Sequence, residues 1–90
     1  MDKREKLEVM EKIVRQLDDL VNSQTAILKK VALVEAENIN HGDRLLEKQL
    51  PEIYSGSEEM LNEVVSLAEE FTAARDKFIK DNKLEEVPVE

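Results

Sequence analysis

The sequence predicts an all-α protein built as a long antiparallel helical hairpin, on three observations. Over two long stretches, apolar residues recur at alternating spacings of three and four, which is typical of helices that pack along a seam. The 90-residue chain is 38% charged, as expected for long helices with solvated outer faces. It has two Phe, one Tyr and no Trp, too few for a compact core built around large rings.

The first helical stretch carries a seam and, beside it, a second apolar line. Seven of the eight seam positions are apolar, namely Leu7, Met10, Val14, Leu17, Val21, Leu28 and Val31, and Gln24 holds the eighth. Every seventh residue forms the second line, which contains Ile13, Leu20, Ile27 and Val34. Three apolar positions in seven suit a bundle of three or more helices better than a two-stranded coiled coil. Gln24 either sets the register and oligomeric state or lies at the edge of the stripe.

Two positions are open for the chain reversal. Gly42 followed by Asp43 has the chemistry of a helix stop and a new N-cap. Two arms of about 40 residues would result, the second kinked at Pro51 or preceded by a short third helix near residues 44–53. Alternatively, one helix reaches about Leu50 and the chain turns between Pro51 and Ser57, where Ser-Gly-Ser is turn chemistry and Ser57 an N-cap.

The last helix is predicted from about Glu58 to about Asp81. Its predicted seam contains Met60, Val64, Leu67, Phe71, Ala74 and Phe78, and a parallel second line contains Leu61, Val65, Ala68 and Thr72. We interpret residues 1–82 as a single helical domain. Residues 83–90 hold Pro88 and three acids, and we predict that they form a flexible acidic tail.

The charge balance narrows the classes of partner. The net charge is −8, with 13 Lys and Arg against 21 Asp and Glu, which disfavours binding to nucleic-acid phosphates or to an anionic membrane surface. No stretch approaches the roughly 20 apolar residues of a membrane span. Because the first residues lead into no signal-peptide core, we expect a cytoplasmic protein, with leaderless export left open. The absence of cysteine excludes a disulfide framework and a cysteine–zinc site.

No constellation of residues predicts an enzyme, a metal site or a cofactor. His41 is the single histidine, and Glu37 precedes it by four residues, but the Glu-x-x-His spacing of a dimetal bundle is absent. No Gly-rich phosphate loop or nucleophile elbow occurs. The segment from Glu52 to Ala74 has six acids and no Lys or Arg. That run is either a solvated helix face or an acidic surface for a basic partner.

One tripeptide resembles a known family. Tyr54-Ser55-Gly56, placed between two helices, is similar to the Trp-x-Gly bend of the WXG family of small helical hairpins. The resemblance implies a dimer exported by type VII secretion, with Tyr in place of the family's Trp. The family's Tyr-x-x-x-Asp/Glu export signal follows the second helix, whereas here that spacing joins Tyr54 to Glu58 at the predicted bend.

The predicted function is that of a non-enzymatic helical protein–protein interaction module: an adaptor, an assembly subunit or a small regulatory binder. We expect a homo-oligomer or a helical protein partner, because one hairpin cannot cover apolar faces this wide. The alternatives are a WXG-like secreted or secretion-associated hairpin and an acidic inhibitor of a protein with a basic site. The predicted partner-binding residues are Ile13, Leu17, Leu20, Val21, Ile27, Leu28, Val31, Val34, Phe71 and Phe78.

Overall fold

The structure of the protein, a computed structural model, is described for residues 1–84 and consists of two long helices packed as a hairpin. Helix α1 spans Lys3–His41 and helix α2 spans Arg44–Asp81. They form a rod of 68 × 19 × 19 Å. At the end away from the turn, the Lys6 ammonium lies 5.4 Å from the centroid of the Phe78 ring, so the start of α1 meets the end of α2. The predicted all-α antiparallel hairpin is confirmed.

The chain reverses at Gly42 and Asp43, the first of the two predicted positions. Gly42 has φ 74°, in the left-handed region, and its N–H donates to the Asn38 carbonyl at 2.7 Å. Glycine is favoured there because a Cβ would approach the following carbonyl. Asp43 caps α2, since its carboxylate accepts from the Leu46 N–H at 3.0 Å. Two capping residues therefore turn the chain with no further loop.

Replacing Gly42 by alanine is expected to lower the free energy of unfolding by about 1 kcal/mol, the penalty for a Cβ in the left-handed region. Apart from the adjacent residues, a Cβ built at this position meets no atom within 4 Å, so the penalty comes from the local backbone. Chemical denaturation measures it. Gly42→Asn is the matched control and should lose less, because asparagine tolerates positive φ. Equal losses for Ala and Asn would contradict a left-handed residue at the turn.

The predicted break between Pro51 and Ser57 is wrong, as is the alternative of a short third helix near residues 44–53. Helix α2 is continuous through this segment, with Pro51 inside it. Packing along the seam explains the difference, because Leu50 is buried and both Tyr54 and Ser57 are half-buried. Burial along the seam therefore outweighs the local preference of Pro and Gly to end a helix.

Both outer helix ends are capped. Asp2 and Glu5 form a reciprocal capping box at the start of α1, with hydrogen bonds of 2.8 and 3.0 Å. After α2, Lys83 has φ 56° and the Leu84 N–H donates to the Ile79 carbonyl at 2.8 Å, as in a Schellman motif. The predicted end of the last helix near Asp81 is confirmed. Of the predicted acidic tail, residues 85–90 lie outside the described residues.

Candidate interaction surface

The seam between α1 and α2 is narrow and weakly buried. Among the described residues, the buried apolar side chains are Leu50, Val64 and Ala68, exposed by 7–8%, and none is fully enclosed. The other seam residues are half-buried. On α1 they are Leu7, Met10, Val14, Leu17, Val21, Gln24, Leu28 and Val31; on α2 they are Tyr54, Ser57, Leu61, Phe71, Arg75 and Phe78.

The phase of the seam on α2 differs from the predicted one. Met60 and Leu67 were predicted to lie in the seam, but they are 47% and 52% exposed. Leu61 and Ala68, from the predicted second line, take their place. Val64, Phe71 and Phe78 belong to both versions of the seam. The difference follows from Tyr54, which is half-buried in the seam, because steps of seven from Tyr54 reach Leu61, Ala68 and Arg75.

Beside the seam lies a second apolar surface, which we call the apolar face. Its members are the residues that immediately precede alternate seam positions on each helix. In an antiparallel pair these two lines flank the same side of the seam. All of them are exposed except Ile13, which is half-buried. The apolar face consists of Ile13, Leu20, Ile27 and Val34 on α1 and Ile53, Met60, Leu67 and Ala74 on α2.

The opposite side of the seam has a different character. Two open grooves lie on this side. One is lined by Asp18 of α1 and Thr72 of α2, and the other by Ile39 of α1 and Pro51 of α2, so these residues flank the same side of the seam. The groove beside the turn has a volume of about 420 Å³ and is mostly apolar. Since Asp18, Thr25, Glu58 and Thr72 follow this side, it is more polar than the apolar face.

Half of the ten residues on the rim of the apolar face are charged. On α1 its outer edge carries Val9, Gln16, Ser23, Lys30 and Glu37, and on α2 it carries Gln49, Gly56, Glu63, Glu70 and Lys77. The Lys77 ammonium donates to the Asp81 carboxylate at 2.7 Å, and this hydrogen bond raises the pKa of Lys77. The charge of Lys77 is thus already paired on its own helix.

The structure divides the predicted partner-binding residues into two groups. Six of them lie half-buried in the seam of the chain's own hairpin: Leu17, Val21, Leu28, Val31, Phe71 and Phe78. The other four belong to the apolar face, where Leu20, Ile27 and Val34 are 42–44% exposed. The α2 half of the face was missed, although its spacing of seven residues is visible once the helix is followed through Pro51. A partner role for any of these residues stays a prediction.

The other sequence-predicted features are the pair of His41 and Glu37 and the acidic run of α2. His41 and Glu37 are both exposed, and residues 1–84 contain no group of three or more His, Cys, Asp or Glu placed to hold a metal ion. The six acids between Glu52 and Ala74 are exposed and lie on the side of α2 that faces away from α1, as in a solvated helix face. Within the described residues, neither helix is long and apolar enough to cross a membrane.

The tripeptide that resembles the WXG family does not lie at the bend. Tyr54, Ser55 and Gly56 are all helical, more than ten residues beyond the turn at Gly42. Tyr54 is half-buried in the seam. The tripeptide is therefore not at the bend, although its position there was the basis of the resemblance and of the secretion hypothesis. Comparisons with protein-family models, with curated proteins and with solved structures gave no match.

Proposed function

We propose that this protein is a non-enzymatic helical interaction module, whose apolar face is covered by helices of another polypeptide chain. The observation that carries the proposal is the continuous face itself. Eight apolar side chains line one side of the hairpin, four from each helix, and the largest of them keep 42–52% of their surface exposed. Contiguous apolar surface rimmed by polar residues is characteristic of protein–protein interaction sites.

The energetics support the same proposal. Full burial of a Leu, Ile, Val or Met side chain is worth about 1.5–3 kcal/mol. About half of this burial free energy is still to be gained at each large side chain of the apolar face, because each is only partly buried. These side chains are Leu20, Ile27, Val34, Ile53, Met60 and Leu67. A seam with three buried apolar residues gives the isolated hairpin little core. Partner helices laid on the apolar face would convert this two-helix layer into a bundle with an enclosed interior.

Helices fit this surface better than other ligands do. The face is long and nearly flat, and it is formed by α1 and α2 lying side by side. Side-chain ridges of a partner helix can therefore enter the groove between α1 and α2. It lacks the concave shape and converging polar groups of a small-molecule site. Its rim carries charged and polar residues around an uncharged centre, the usual anatomy of a protein–protein interface.

Site-specific photocrosslinking in cells that naturally express the protein tests the proposal. A photoreactive amino acid replaces Leu67 on the apolar face, and in a second variant it replaces Ser66, an exposed neighbour on the outer surface of α2. We expect a protein adduct from position 67 and little from position 66. Equal labelling at the two positions, or none at position 67, would show that the face is uncovered and would overturn the proposal.

A matched pair of charge substitutions sharpens the result. Leu20→Glu puts a carboxylate into the apolar face, and Leu33→Glu makes the same change on the outer surface of α1, where Leu33 is 66% exposed. Neither residue is part of the seam, so both variants should keep the hairpin. The adduct at position 67 should fall at least tenfold with Leu20→Glu, because a buried carboxylate without a partner is unfavourable. It should persist with Leu33→Glu.

A further inference from the structure

We infer that the occupant of the apolar face is a second copy of this chain, and that the two hairpins form a four-helix bundle with both turns at the same end. In this arrangement α1 of each chain lies beside α2 of the other, and all neighbouring helices are antiparallel. The inference rests on the proposed function and specifies its partner and geometry. It follows from the size of the face, the levels of its residues and the distribution of charge.

The size of the face matches what a dimer needs. From Ile13 to Val34 the face is about 32 Å long, at 1.5 Å per residue. The hairpin is 19 Å wide. The flat footprint is therefore about 600 Å², near the roughly 800 Å² of accessible surface that each partner contributes to a standard interface. A second hairpin has an apolar face of the same length and width, so the two faces can cover each other along their whole length.

The residues of the face fall at shared levels along the rod. The pairing of Lys6 with Phe78, together with the turn at Gly42, sets which residues lie opposite each other. Within two to three residues, or about 3–4.5 Å, this register places each of four α1 residues level with an α2 residue, and successive pairs lie about 10.5 Å apart. These pairs are Ile13 with Ala74, Leu20 with Leu67, Ile27 with Met60, and Val34 with Ile53. Two copies with turns at one end would stack the pairs into four wholly apolar layers.

The charges favour turns at the same end. Residues 20–34 of α1 contain Lys29 and Lys30 and no acid, whereas residues 53–67 of α2 contain Glu58, Glu59 and Glu63 and no base. These segments lie at the same height in the hairpin. With both turns at one end, the side of the basic segment that carries Lys30 lies against the side of the other chain's acidic segment that carries Glu63; Lys29, Glu58 and Glu59 lie away from this contact. The charges are therefore complementary at both of the equivalent contacts between α1 of one chain and α2 of the other.

The opposite arrangement brings like charges together. If the turns lay at opposite ends, α2 would pack against α2 of the second chain around a point midway between Met60 and Leu67. Glu63, on the rim of the face, would then approach its own copy. Like charges at a contact select against a wrong geometry. The charge pattern therefore distinguishes two bundles that apolar contact alone would not.

Two measurements on the purified chain test the inference. Sedimentation equilibrium at micromolar concentration should give twice the mass of 10.4 kDa. Because the chain has no cysteine, Asn40→Cys introduces a single nitroxide label on an exposed residue beside the turn. With the turns together, pulsed EPR should give a distance below about 35 Å, set by helix spacings of 8–10 Å and the reach of the labels. With the turns apart, it should give about 50 Å, from some 16 residues on each side of the centre.

A further pair of variants tests the charge argument. Lys30 lies on the rim of the apolar face, and its neighbour Lys29 lies on the other side of the helix; both are exposed. Lys30→Glu should weaken dimerisation roughly threefold or more at low salt, and less at high salt, because exposed charges are screened. Lys29→Glu should change it little. Equal effects of the two substitutions would contradict the assigned rim.

The outcomes separate the inference from the proposed function. A monomer at 100 micromolar, together with a cellular adduct to a different protein at position 67, would overturn the second copy and leave the interaction module standing. A dimer with a label distance of about 50 Å would overturn the arrangement of the turns. A monomer with no cellular adduct at position 67 would overturn both.

Discussion

Replacing Pro51 by alanine is expected to raise the free energy of unfolding by about 3 kcal/mol, the usual penalty of proline inside a helix. Pro51 is the eighth residue of α2, beyond the first turn where proline is tolerated. It has no N–H for the Glu47 carbonyl, and its ring crowds that carbonyl. Its side chain is exposed beside the groove near the turn, so the shorter Ala side chain removes little packing.

Urea denaturation followed by circular dichroism measures this gain. Protein concentration must be held constant, because self-association would add to the apparent stability. Gly56→Ala is a suitable comparison, since Gly56 is also inside α2 and a Cβ there meets no atom within 4 Å. It should gain only about 1 kcal/mol, the helix-propensity difference between Gly and Ala. If Pro51→Ala left the midpoint unchanged, a continuous hydrogen-bonded α2 through residue 51 would be contradicted.

Replacing Asn38 by alanine is expected to lower the free energy of unfolding by about 2 kcal/mol, from two hydrogen bonds of about 1 kcal/mol each. Asn38 is 6% exposed, and within the described residues it is the buried polar side chain. Its Nδ2 donates to the Asp43 carbonyl at 3.1 Å, and its Oδ1 accepts from the Asp43 N–H at 2.9 Å. The side chain thus connects the last turn of α1 to Asp43, the N-cap of α2.

Asn40→Ala provides the control for this loss. Asn40 lies in the same turn of α1 but is exposed, so its replacement should change the free energy of unfolding by less than about 0.5 kcal/mol. Thermal unfolding of both variants at one concentration gives the comparison. Amide hydrogen exchange at Asp43 should also accelerate in Asn38→Ala, because its N–H loses its acceptor. Equal stability of the two variants would contradict the role assigned to the Asn38 side chain.

The predictable part of the fold came from long-range periodicity. Steps of three and four from Leu7 to Val31 indicate one helix without ambiguity. Gly42 indicates the end of that helix, and Asp43 indicates the N-cap of the next one. The error at Pro51 arose because Pro and Ser-Gly-Ser are strong local signals, whereas burial at Leu50 and Tyr54 is a property of the assembled pair. Propensity measured over a few residues does not include that packing.

The candidate surface was predictable on one helix only. On α1 the seam and the second line are separate in the sequence, so Leu20 and Ile27 were recognised as additional to the seam. On α2 three adjacent apolar lines compete, and periodicity alone does not say which two face the partner helix. In the folded hairpin Tyr54 lies in the seam and its neighbour Ile53 is 49% exposed, which decides between these lines. Ile53 and Met60 therefore became recognisable as surface residues only in the folded hairpin.

The contact between Lys6 and Phe78 has a mechanical consequence. It places the beginning of α1 and the end of α2 at one pole of the rod, with the turn at the other. A pulling force applied between these two ends would peel the helices apart one contact at a time, instead of shearing many contacts together. Such a hairpin opens at low force from the pole inward, and Asn38 beside the turn would be among the last residues to separate.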